Sequence, residues 1–95
     1  MCWTVTAQEH LQDIHTYIAR NSRDYALSMV DRITRRSKQI EDAPFSGRRV
    51  QEFDVEQVRE VIEYPYRIIY HIKPEQIDIL AVLHGARNIL REAGK

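Results

Sequence analysis

The chain has no excess charge of either sign: 14 Lys or Arg stand against 14 Asp or Glu over 95 residues, a formal net charge of +0. A protein that grips nucleic acid through many phosphates needs a cationic surplus. Strong general binding of DNA or RNA is therefore not expected, although a local patch stays open. Lysine is scarce, with only Lys38, Lys73 and Lys95. Cys2 is the single cysteine, which excludes an internal disulfide and a cysteine-based metal site. It reads as a small apolar residue in a first strand. No apolar run reaches spanning length and no signal-peptide pattern is present, so a cytoplasmic chain with no membrane partner is expected. Glycine and proline number three each, and no linker, repeat or low-complexity segment is seen. His10 and His15 are five apart, which does not place both on one side of a helix, so no metal and no cofactor are expected.

What is present suits one folded domain over 1–95. The hydrophobic fraction is 43%, ordinary for a globular chain, and the length supports a single core. Met1 to Trp3 suits a short strand. A helix follows, capped by Thr4 or by Thr6, the latter forming a capping box with Glu9. Leu11, Ile14, Tyr17 and Ile18 make its apolar stripe. Arg20-Asn21-Ser22 breaks the pattern, and Ser22 can cap a second helix over about Asp24 to Glu41. Ala26, Met29 or Val30, Ile33, Ser37 and Ile40 face inward there. Arg32, Arg35, Arg36 and Lys38 read either as a solvated face or as an anionic docking surface. Ala43-Pro44-Phe45-Ser46-Gly47 then closes the helical hairpin, with Phe45 expected to anchor it in the core.

From Arg48 the period changes to two. A strand is expected from about Arg48 to Phe53, a turn at Asp54-Val55-Glu56, and a strand from about Gln57 to Glu63. Two further strands, Tyr66 to Ile72 and Ile77 to His84, flank Lys73-Pro74-Glu75-Gln76, where proline at the second position favours a type I turn. Gly85 ends the last strand, and a short helical tail is expected over 88–95. The result is an α+β domain of order β-α-α-β-β-β. Its helical hairpin packs on one face of a mostly antiparallel sheet of three to four main strands. The other face is expected to carry Arg59 and Arg67, which cannot be buried unpaired. Arg67 can pair with Glu60 or Glu63 across strands. His71 and His84 are the other polar exceptions in these strands.

Three pieces of the chain, in this order and spacing, resemble the RelE/ParE superfamily of toxins from bacterial toxin–antitoxin modules, most closely its ParE branch. They are Thr4-Val5-Thr6-Ala7-Gln8-Glu9-His10-Leu11 with Ile14 and Tyr17-Ile18-Ala19, then Pro44-Phe45-Ser46-Gly47-Arg48, then Arg59 with Tyr66-Arg67-Ile68-Ile69-Tyr70 and His84-Gly85-Ala86-Arg87. The chain departs from the family in starting almost on its Trp3-Thr4 segment, which leaves the first strand short. The resemblance implies a toxin that inhibits DNA gyrase, belongs to a plasmid-stabilising type of module, and is held in a hetero-oligomer by a ParD-like antitoxin. On that reading Arg87, Asn88 and Arg91 contact the target, while Arg32, Arg35 and Arg36 meet acids of the antitoxin. The superfamily's second activity is ribosome-dependent mRNA cleavage. Metal-free cleavage through a 2′-hydroxyl needs a base, an acid and cationic clamps. The candidates are Arg59, Arg67, His84 and Arg87, with His71, Glu60 and Glu63 as further bases or acids. The shortage of lysine and the ending Val82-Leu83-His84-Gly85-Ala86-Arg87 favour the ParE branch.

Overall fold

The computed structural model describes residues 1–85. The elements are β1 (Cys2–Trp3), α1 (Val5–Ala19), α2 (Arg23–Ile40), a 3-10 turn (Pro44–Ser46), β2 (Arg48–Arg49), β3 (Val58–Glu63), β4 (Tyr66–Ile72) and β5 (Ile77–His84). One five-stranded sheet runs β1-β5-β4-β3-β2. All neighbours are antiparallel except β1, which lies parallel to β5 through Cys2–Asp78 and Trp3–Ile79. The α+β architecture is thus as expected, with three long strands and two of two residues each. The tail at 88–95 lies outside the described residues.

The helices start where polar side chains satisfy their free N–H groups. Thr4, not Thr6, caps α1: its hydroxyl accepts from the Ala7 N–H at 3.2 Å. Ser22 caps α2 in the same way, accepting from Tyr25 N–H at 3.1 Å. α1 lies along β5 and α2 against β3. Met29, Ile33, Ile40, Ile68, Ile79 and Val82 form the centre of the core between helices and sheet. Leu11 and Ile18 pack at its margin, but Tyr17 is 67% exposed and does not join it. Ala7, in the first turn of α1, is fully buried.

The opposite face of the sheet carries a second cluster. Val50, Val58, Ile69, Ala81 and Leu83 are buried there, with Phe53 packed beside them. The expected strand from Arg48 to Phe53 is therefore only Arg48–Arg49. After it the chain folds back, with Phe53 N–H and Asp54 N–H both donating to the Val50 carbonyl. Asp54 takes the left-handed conformation, φ 49°, which aspartate tolerates better than most residues. The segment 50–57 thus crosses the outer face as a strap that lets Val50 and Phe53 bury their side chains.

β3 and β4 join through Tyr64-Pro65, whose peptide bond is cis. The β4–β5 turn closes with Lys73 N–H donating to the Gln76 carbonyl at 2.9 Å. The pairing of β4 with β5 shifts by one residue after Ile69. That shift puts Ile79 and Val82 on the helix face, and Ala81 and Leu83 on the outer face. Simple alternation along β5 does not show it.

Candidate functional site

The arginines expected to act together are divided between the two faces. In the regular β3–β4 ladder Arg59 lies opposite Tyr70, while Arg67 lies opposite Ile62. Side chains alternate along a strand, so Arg59 shares the helix face with Tyr70. The expectation that Arg59 sits beside Arg67 on the other face is corrected by this register.

Arg67 is 6% exposed and enclosed by acids. Its Nε donates to Glu60 Oε1 at 2.6 Å, and its two terminal nitrogens donate to the carboxylate oxygens of Glu52 at 3.0 Å each. Glu60 is 4% exposed and also accepts from Arg48 Nε at 2.6 Å. The bond to Glu52 is the fork-to-fork pairing that a planar guanidinium allows and lysine does not. Hydrogen bonds to Glu52 first, opposed by burial and then aided by Glu60, raise the pKa of Arg67. Of the two partners expected for Arg67, Glu60 is the one used. Glu63 instead accepts from Arg32, at 2.8 Å.

Arg59 is committed on the other face. Its Nη1 donates to the carbonyls of Phe45 and Gly47 at 3.1 and 2.9 Å, its Nε to the Glu56 carbonyl at 2.8 Å, and its Nη2 to the Glu56 carboxylate. Phe45 is not an anchor in the core; it is 53% exposed. The Arg59 guanidinium stacks over its ring, 5.2 Å from the centroid. The true anchor of this loop is Tyr70, fully buried, whose hydroxyl donates to the Pro44 carbonyl at 2.6 Å. Burial raises the Tyr70 pKa, partly offset by a backbone hydrogen bond from Gly47. A Cβ on Gly47 would stand 2.3 Å from that hydroxyl and 2.7 Å from the Glu60 carbonyl. Pro44-Phe45-Ser46-Gly47-Arg48 is therefore held by three strand residues: Tyr70 and Arg59 from the helix face of the sheet, and Glu60 from the other face through Arg48. Sequence reading missed Tyr70 and Glu52 in these roles. The glycine three residues after proline was the available signal that a large group approaches the backbone there.

His84 ends β5, exposed, with its ring edge-on to Tyr66 at 6.0 Å and 82°. It lines a cleft of about 360 Å³ with His10, Asp13, Ile14, Tyr17, Tyr66, Val82 and Leu83. Neither Arg59 nor Arg67 lines that cleft. His71 lies across from Val58 and Asp78 on the outer face. Arg87, Asn88 and Arg91 fall outside the described residues. Among the described residues, no group of three or more His, Cys, Asp or Glu could hold a metal. No helix among them is long and apolar enough to cross a membrane.

The cations of α2 form a surface of their own. Arg32, Arg35 and Arg36 line a shallow hollow with Gln39 and Glu63. Arg35 meets Asp31 at 2.6 Å while remaining 75% exposed, and Arg36 meets Gln39 at 3.1 Å. Close by in sequence, Tyr25 and Leu27 are 50% and 61% exposed.

A helical hairpin packed on one face of this sheet is the architecture that the resemblance to the RelE/ParE superfamily implied. The model of one family, the ParE toxin of the type II toxin–antitoxin system parDE, matches residues 2–89. The chain belongs to that family, and so to a toxin–antitoxin module. Among solved structures it is similar to a chain of the chromosomal ParDE toxin–antitoxin system from P. aeruginosa, at 24% identity and a TM-score of 0.69. That likeness covers 86% of this chain and 90% of the other, and it is a likeness of fold. No curated protein sequence matches the chain.

Proposed function

We propose that this chain inhibits DNA gyrase as an interaction toxin and is neutralised by a ParD-like antitoxin. The observation that carries the proposal is the division of the candidate nuclease residues. Cleavage through a 2′-hydroxyl needs base, acid and clamps within reach of one phosphate. Arg67 is enclosed by Glu52 and Glu60 on one face, and Arg59 is spent on loop carbonyls and Glu56 on the other. Membership of the ParE family and the shortage of lysine support the same reading. RNA cleavage by Arg59, Arg67, His84 and Arg87 is the alternative it displaces.

In this account the antitoxin lays an acidic, amphipathic segment over the helical hairpin. Arg32, Arg35 and Arg36 meet its carboxylates, and exposed Tyr25 and Leu27 take its apolar residues. Arg87, Asn88 and Arg91 contact gyrase. Brief expression in growing cells tests the target. DNA damage with filamentation, and loss of supercoiling by purified gyrase, are expected. A rapid halt in translation with intact DNA would overturn the proposal in favour of RNA cleavage. Truncation after Gly85 is expected to remove toxicity while the chain still melts cooperatively.

A further inference from the structure

β5 carries one more residue than β4 at mid-strand: Tyr70 pairs with Ile79 and Ile69 with Ala81. Leu80 is the extra residue of a bulge, which disturbs the ladder and leaves backbone groups to be satisfied elsewhere. On the side away from β4, β1 has already ended at the Trp3–Ile79 pair. The start of α1 supplies the missing partners. The Thr4 hydroxyl lies 2.9 Å from the Ile79 carbonyl and 3.3 Å from that of Leu80. The N–H of Val82, a residue only 2% exposed, donates to Nδ1 of His10 at 3.2 Å. That bond exists only while Nδ1 carries no proton, because both nitrogens of an imidazolium are donors. Once His10 is protonated, two donors face each other and a buried N–H loses its acceptor.

We propose that His10 is a proton-sensitive latch between α1 and β5. Neutral, it fastens the helix to the bulged strand; protonated, it lets go. Among the described residues, the titratable groups that line the cleft with it are Asp13 and Tyr17 of α1, Tyr66 of β4 and His84 of β5. Release loosens β5 at Val82, and with it one wall of the cleft. This latch is independent of what the toxin acts on.

The test follows the Val82 amide by hydrogen exchange, corrected for the intrinsic rate, from about pH 8 to about pH 5.5, across the ordinary histidine range. His10→Asn puts an amide oxygen near the position of Nδ1, an acceptor that does not titrate. His84→Gln removes the neighbouring histidine. In the unsubstituted chain Val82 protection is expected to fall about threefold to tenfold on acidification, the weight of one hydrogen bond. His10→Asn is expected to abolish that fall and His84→Gln to keep it. Unchanged Val82 protection in the unsubstituted chain would overturn the latch, whether or not His10→Asn folds. So would an equal fall in His10→Asn, or the loss of the fall in His84→Gln alone.

Discussion

The two faces of the sheet are closed by different means. On one, α1 and α2 bring apolar stripes at helical spacing, and Met29, Ile33 and Ile40 cluster with Ile68 and Ile79, with no buried ion pair among the described residues there. On the other, a strap with no regular structure, residues 50–57, covers Val58, Ile69, Ala81 and Leu83. A helix satisfies its own backbone and needs only to bury its stripe. A strap has no ladder of its own, so side chains must tie it down. Here the tie is Arg67, bridging Glu52 on the strap to Glu60 on β3. The difference shows what the buried Arg67 does for the fold: it fastens the strap to β3.

Breaking the tie should give the largest effect. Arg67→Ala leaves Glu52 and Glu60 without their shared cation, and breaking one side of a buried ion pair costs about 3–5 kcal/mol. For a chain of this size each kcal/mol moves the melting temperature by roughly 4–8 °C, so a thermal melt reads it easily. A melt unchanged from the parent chain would erase the contrast between the faces. Next comes the loop clamp. Gly47→Ala forces a methyl against the Tyr70 hydroxyl and the Glu60 carbonyl, an overpacking cost of about 1–3 kcal/mol. Combining it with Tyr70→Phe sharpens the point: the double variant should lose less than the sum of the two single losses, because the phenol oxygen is part of the clash. Additive losses in denaturant melts would place the strain elsewhere.

A smaller effect is expected from Phe45→Ala, about 0.5–1 kcal/mol, since the ring is half exposed and contributes through its stacking with Arg59. An effect as large as that of Gly47→Ala would return Phe45 to the role of core anchor. The smallest change concerns the β4–β5 turn. Lys73 Nζ meets Asp78 Oδ2 at 2.6 Å, and this hydrogen bond, opposed by burial, holds the Asp78 carboxyl below the ordinary carboxylate range. A depressed folded pKa means that the stabilising contribution is present above the unfolded value, near 3.9, and is lost as pH falls through the folded one. The Lys73 pKa is raised by the same partner, so its contribution is present below the unfolded value and lost as pH rises through the folded one. Lys73→Ala should therefore lower the melting temperature slightly at neutral pH and flatten the acid limb below about pH 4, where the variant and the parent chain converge. An acid limb identical to the parent's would remove the bridge from the account.

Much of this was legible in the sequence. The helical stripes, the Ser22 cap, the turn at Lys73-Pro74-Glu75-Gln76 and the extents of β4 and β5 follow from spacing and turn chemistry, which are local. The strap was not legible, because the run from Arg48 to Phe53 carries no local signal for the bend that the chain makes at Val50. Nor was the bulge at Leu80, since an apolar run on both faces hides a change of phase. The division of Arg59 from Arg67 is a matter of register between strands, which no local pattern carries. Their capacity to form ion pairs was visible, and for Arg67 one of its two partners was named. Tyr17 lies at the surface although it falls within the apolar spacing of α1, whose buried residues are Ala7 and Ile14.

The central claim is that Arg67 fastens the strap and takes no part in toxicity. The direct measurement replaces the whole tie at once, with Arg67→Met, Glu52→Gln and Glu60→Gln in one chain, so that no buried charge is stranded. Growth inhibition on induction is read beside a thermal melt of the purified protein. The claim predicts a chain that still melts cooperatively above the growth temperature and still arrests growth. A variant that melts like the parent yet no longer harms cells would contradict it, and would make Arg67 part of the toxin's working surface.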